Sequence, residues 1–350
     1  MNLANTILGS GMLGLPYAFS HTGWVLGSLL LVICGSLSSF ALHLLALCAL
    51  KEKEASSFYS VAHSAMPKFT LLIDFAVAVK CFGVATSYLI VIGDLMPDVM
   101  EFFEVSGALG HRQFWVFIGF LIVAPLSCLH NLDSLKFTSF FAIGFVIFLT
   151  ILISLYAFDI PNMDPCEDMD VDEECKGDAS NFVMDMDTMR VFSIFVFGFT
   201  CQQNIFAVKN ELVNPTPSRI NGVIVSAIGT AMTLYFIVSC FGYSTYGANV
   251  ESDILTNYPE TYLTSFARLF VSLLVAFSYP LQCHPARRCI ITLIGSVKAS
   301  YFPPSDDKKA LTGSSPSSSE GSDDSEEAAS ELLIFNIITV SRTKRVFCKE

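Results

Sequence analysis

The chain has 350 residues, of which 53% are hydrophobic and only 15% are charged, against roughly 25% charged in an ordinary soluble domain. With a mean hydropathy of +0.56 and 31 Phe, it carries more apolar surface than a water-soluble fold can hide, which excludes an ordinary soluble domain. The net charge of −12 does not mark a charged partner, because the acids cluster in two polar stretches, 159–187 and 305–331, that read as solvated loops.

A helix needs about 20 apolar residues to cross the hydrocarbon core. Such runs fall near 2–20, 24–50, 70–96, 113–130, 137–158, 188–208, 220–246 and 263–284. They form a transmembrane bundle of about eight helices over 1–302. Residues 303–330 are rich in Pro, Ser and acids, cannot pack a core, and read as a disordered cytosolic loop. The remainder, 331–350, reads as an incomplete ninth helix that stops at Ser341 and a basic tail. The first span lacks the basic flank of a signal peptide, and Gly9, Gly11, Gly14 and Pro16 interrupt its apolar core. Both ends of the chain therefore look cut, and a C-terminally incomplete bundle is expected.

Basic residues in short loops mark the cytosolic side. With the N-terminus inside, Lys51, Lys53, Lys68, Lys136, Lys209, Arg219, Arg287, Arg288, Lys298, Lys308 and Lys309 fall on that side, whereas Arg112, Lys176, Arg190 and Arg268 fall at or beyond the outer face. The acidic 159–187 loop is then external or lumenal. Its Cys166 and Cys175 can pair there, since oxidising compartments permit disulfides. Most of the other cysteines lie in apolar runs and read as small buried hydrophobes.

The first span carries the run NLANTILGSGMLGLP over 2–16. Glycine permits dihedrals that break a helix, and broken backbone inside a membrane is tolerated where protein or a watery cavity satisfies it. N–H groups freed at such a break suit a carboxylate. Close helix packing through small residues explains the same run equally well. In the sixth span, the apolar run turns polar at Gly198-Phe199-Thr200-Cys201-Gln202-Gln203-Asn204. An ordinary helix end accounts for this alone, but two interrupted helices in corresponding positions of a five-plus-five repeat point to a transporter site.

In the third span, Lys80 must face the bundle interior or snorkel to the cytosolic side, because a central lysine costs roughly 2.5–3.5 kcal/mol on insertion scales. The eighth span carries Ser278, a hydroxyl at a depth where a cation can bind, although such a serine also bonds back to its own helix. Pro280 and Pro285 are expected to bend its cytosolic end, with His284 at the edge. No HExxH, GxSxG or P-loop motif is present, so an enzyme has no support. No basic and aromatic surface suggests nucleic acid.

The segments NLANTILGSGMLGLPYAFSHTGW (2–24), KCFGVATSYLIVIGD (80–94), FTCQQNIFAVKNEL (199–212) and SYPLQCHPARR (278–288) together resemble the amino acid/auxin permease family. Within it they are most similar to sodium-coupled neutral amino acid transporters and vacuolar amino acid transporters. The resemblance implies an all-α, eleven-helix bundle of the bacterial leucine-transporter type, built on an inverted repeat. It implies secondary transport of a neutral amino acid by alternating access, coupled to sodium or protons, in a plasma membrane or a vacuolar or lysosomal membrane. It places the substrate carboxylate at Gly9, Ser10 and Gly11, and its amino group near Gly198 and Thr200. It places sodium at Asn5 and Ser278. Two departures are visible: Gln202-Gln203 stands where relatives often have His-Pro, and Lys80 argues for protons over sodium. An amino acid sensor and a truncated, inactive product remain alternatives.

Overall fold

The computed structural model describes residues 2–51, 57–104, 107–127, 136–158, 163–166 and 175–301. The 303–330 loop, the ninth helix and the basic tail lie outside the described residues.

Every described element is helical. In chain order they are α1 (Asn2–Ile7), α2 (Leu15–Ser20), α3 (Gly23–Lys51), α4 (Phe58–Ala65), α5 (Thr70–Phe102), α6 (Arg112–Ser127), α7 (Lys136–Ala157), α8 (Met186–Gly198), α9 (Ile205–Glu211), α10 (Pro217–Tyr246), α11 (Ile254–Asn257) and α12 (Tyr262–Tyr301). Without water in a bilayer core, backbone groups must bond within their own segment, and a helix does this. Among the described residues, six helical spans are long and apolar enough to cross a membrane, and the span Arg112–Ser127 is a shorter apolar one. Side chains such as Val25, Leu37, Phe40, Leu72, Phe75, Phe140 and Ile151 are exposed on the outer surface of the bundle. Lipid, not water, is the solvent that tolerates so much outward apolar area. The chain is an integral membrane protein.

The expected crossings correspond to these elements, with the two interruptions that the sequence raised and one difference, at the end of the eighth. The first span is broken into α1 and α2, with a short 3-10 turn over Ser10–Met12 between them. The sixth is broken into α8 and α9. The eighth does not end near 284. α12 continues as one helix through Pro280 and Pro285 to Tyr301. It packs most extensively against α5, and also against α6 and α7, and this support compensates for the backbone bonds that each proline removes. The small helix α4 was not evident in the sequence. A reciprocal capping box between Ser57 and Ser60 starts it.

One face of the bundle is closed by loops. Cys166 and Cys175 form a disulfide there. The chain after it zips to the start of α3 through Trp24 N–H to Ser180 O and Val183 N–H to Thr22 O. Gly23 makes this approach possible: its φ is +77°, and a Cβ would sit 2.8 Å from Asn181 backbone atoms. On the same face Arg268 is buried. Its guanidinium donates to the carbonyls of Leu255 and Tyr258 and lies 3.8 Å from Asp98 Oδ2. It closes the connection between α11 and α12.

Candidate substrate and ion site

The two breaks face each other. α1 ends at Ile7, the chain is extended at Gly9 (φ −100°, ψ −152°), and helical structure resumes at Leu15. The second break spans Phe199 to Cys201, between the end of α8 and a 3-10 turn over Gln202–Asn204. The two segments approach so closely that a Cβ on Gly11 would lie 3.1 Å from Gly198 Cα, and one on Gly9 would lie 3.0 Å from the Tyr88 hydroxyl. Neither Gly9 nor Gly11 has a positive φ. Glycine is therefore required at these positions for space and not for unusual dihedrals, which corrects the conformational reason read from the sequence.

Tyr235 of α10 fastens the two breaks together. Its buried hydroxyl lies within hydrogen-bond reach of the carbonyls of Ile7 and Gly198, the latter at 3.0 Å, and its single proton is shared between them. The other carbonyls of the second break are also engaged. Ser38 Oγ donates to Phe199 O at 2.7 Å, and Lys80 Nζ donates to Thr200 O at 3.4 Å. Each carbonyl still has a second lone pair for an incoming donor. On the first break, the Ser10 and Gly11 N–H groups have no backbone acceptor among the described residues. Carbonyls on one side and N–H groups on the other match the two ends of a zwitterion.

Between the breaks lies a cavity of about 10 Å³, lined by residues that include Gly9, Ser10, Gly11, Tyr88, Gly198, Thr200 and Gln282. The structure thus brings together all five residues expected to bind substrate. The volume suits one water molecule, so the site is closed in this conformation. Two larger cavities flank it. One, of about 820 Å³, leads toward the disulfide face past Ser10, Gly11, Asp94, Phe197 and Asp253. Burial pushes the Asp253 carboxyl up to about 6, with Asp94 and Asp98 adding to the rise and the Leu255 N–H and Arg268 opposing it. The other, of about 500 Å³, opens on the opposite face beside Asp74, Gln203, Asn204, His284 and Arg288.

The two residues expected to hold a cation also meet. Ser278 Oγ donates to Asn5 Oδ1 at 3.3 Å, and both side chains are buried. Their donors are neutral oxygens, which fit a hard monovalent cation better than a soft metal. Lys80 is half-buried and bonded to the second break. It is not in the wall of the central cavity.

Sequence reasoning missed Tyr235, Tyr88, Ser38 and the pair Gln203–Gln282, whose side chains bond at 3.0 Å. Tyr88, Gln203 and Gln282 lie in the segments that carry the family resemblance and Tyr235 and Ser38 do not, but only the tertiary arrangement shows what their polar ends reach.

Comparison with known proteins supplies the family context. A family model described as "Transmembrane amino acid transporter protein" matches residues 1–326. The chain is 36% identical over 299 residues to vacuolar amino acid transporter 5 of Schizosaccharomyces pombe, covering 84% of this chain and 68% of that protein. It is 33% identical over 296 residues to vacuolar amino acid transporter 6 of Saccharomyces cerevisiae, covering 83% and 64%. It is 28% identical over 335 residues to sodium-coupled neutral amino acid symporter 2 of Danio rerio, covering 86% and 64%. The chain thus spans about two thirds of the length of these relatives. The fold is similar to the crystal structure of MhsT in complex with L-phenylalanine, with a TM-score of 0.58, 11% identity, and coverage of 97% of this chain and 77% of that one. That likeness identifies the architecture as a helix bundle of the bacterial leucine-transporter type.

Proposed function

Because the chain belongs to the transmembrane amino acid transporter family, we propose that it carries a neutral amino acid across a plasma or vacuolar membrane by cation-coupled alternating access. The observation that carries this reading is the meeting of the two interrupted helices around a closed cavity with a vestibule on either side. The substrate carboxylate takes the Ser10 and Gly11 N–H groups. Its ammonium takes second lone pairs on the carbonyls of Gly198 and Thr200. For a cavity of about 10 Å³ to hold an amino acid, the breaks must separate, and the two vestibules open in turn.

Asn5 and Ser278 are the proposed cation ligands, with sodium as the ion. α1 ends beside them, and the partial negative charge at a helix C-terminus favours a cation. Lys80 acts as a tether on the second break. Orientation follows the loop charges, with the disulfide face external or lumenal and the opposite face cytosolic. An impermeant maleimide is expected to label Cys166 and Cys175 from the external or lumenal side only after reduction. Labelling without reduction, or from the cytosolic side, would overturn this orientation.

The test of function is uptake of a panel of labelled neutral amino acids by the full chain in proteoliposomes. Saturable flux above protein-free vesicles is expected for at least one of them. Saturable binding of an amino acid with no flux would make the chain a sensor instead.

A further inference from the structure

Asp74 lies on α5, inside a membrane span, and is 1% exposed. Neither carboxylate oxygen has a hydrogen-bond partner among the described residues. The weak-donor thiol of Cys289 is the group that faces it. Yet Asp74 forms part of the wall of the vestibule opposite the disulfide face. A buried carboxylate with no ion partner among the described residues and only a weak thiol donor beside it is costly enough that such a group usually takes a proton and becomes neutral. The neighbouring cavity of about 500 Å³ is large enough to bring the water that supplies and removes that proton.

The charged and titratable neighbours are few. His284, Arg288 and Cys289 of α12, Tyr59 of α4 and Glu211 of α9 line the same cavity, while His63 and Lys68 nearby in sequence are exposed. The floor of the cavity holds Gln203 and Asn204. Gln203 Nε2 donates to Gln282 Oε1 at 3.0 Å, and Asn204 Nδ2 donates to Thr6 Oγ1 at 2.7 Å. Gln282 and Thr6 in turn line the central cavity. These two amide hydrogen bonds join the wall of Asp74's vestibule to the wall of the central cavity.

We propose that Asp74 is a proton-binding site that gates this vestibule. With the carboxyl protonated, the dry packing of α5 on α12 is stable and the amide floor stays shut. When the O–H bond breaks and the proton passes to vestibule water, the carboxylate draws in water and the Arg288 guanidinium, and the floor opens. The gating role rests on the transport reading above; the proton site does not.

Two measurements on the full chain in lipid test this. Infrared difference spectra between acid and alkaline pH are expected to show the carbonyl stretch of a protonated carboxylic acid vanishing as pH rises. That band is expected to be lost in Asp74→Asn and displaced in Asp74→Glu. Amino acid exchange by Asp74→Asn is expected to lose its dependence on the pH of the vestibule side, while Asp74→Glu retains a dependence with a shifted midpoint. The same titrating band in Asp74→Asn as in the wild type overturns the proton site, and a wild-type pH profile of exchange in Asp74→Asn overturns the gating role. Should Asp74→Asn not fold, Asp74→Glu decides, and an unmoved band with an unmoved midpoint overturns the proposal. A wild type that shows the band but moves no amino acid supports the proton site and counts against the proposed function.

Discussion

Gly11→Val is expected to abolish transport while leaving membrane insertion intact. A Cβ at this position meets Gly198 Cα at 3.1 Å and a Phe197 ring carbon at 3.5 Å. The first of these is backbone and cannot swing away, and valine adds two further methyl groups. The breaks are forced apart, the hydroxyl of Tyr235 can no longer reach both Ile7 O and Gly198 O, and the N–H groups at Ser10 and Gly11 lose their alignment with the facing carbonyls. Misplacement of this order costs about 100-fold in a positioned site, so uptake should fall at least that far. Gly9→Val should behave alike but more mildly, because its first contact is the movable hydroxyl of Tyr88 at 3.0 Å. The measurement is uptake and substrate binding at matched protein levels in the membrane. Normal transport by both variants would place the carboxylate site elsewhere.

Asn5→Ala and Ser278→Ala should each raise the sodium concentration needed for half-maximal uptake, by about tenfold if one charge-assisted contact worth about 1.5 kcal/mol is lost. The two side chains touch each other at 3.3 Å, so the double variant should be worse than either single one but by less than the product of the two effects. Lys80→Gln should leave the sodium dependence nearly unchanged, since its hydrogen bond goes to Thr200 O and not to the Asn5–Ser278 pair. Its expected defect is in maximal rate, because the second break loses a tether. Wild-type uptake that is independent of sodium and rises as external pH falls would assign the coupling to protons instead.

The helical spans were legible because a long apolar run has one stable form in lipid. The two breaks were legible as Gly-Ser-Gly and as the polar turn after Gly198, and their pairing followed from their corresponding positions in a five-plus-five repeat. What holds them together was not legible. Tyr235 lies in an apolar run of α10, with nothing beside it in sequence to say that its hydroxyl bridges Ile7 and Gly198, residues 228 and 37 positions away. Asp74 went unremarked for the opposite reason: an acid a few residues into a span reads as a helix end near water, and only its burial against α12 shows that it is not. Pro280 and Pro285 do not end the helix, because packing against α5 supports α12 where each proline removes a backbone bond.

The account claims that one closed site, at the two breaks, is reached from each side of the membrane in turn. Ser10 tests this most directly, because it borders both the central cavity and the vestibule toward the disulfide face. Ser10→Cys, reconstituted and read against the wild-type chain to subtract its native thiols, should react with an impermeant thiol reagent from either side. A transported amino acid should protect it from both, and reversing the ion gradient should slow reaction from one side while it speeds reaction from the other. Reaction confined to one side under every gradient, with or without amino acid, would contradict alternating access at this site.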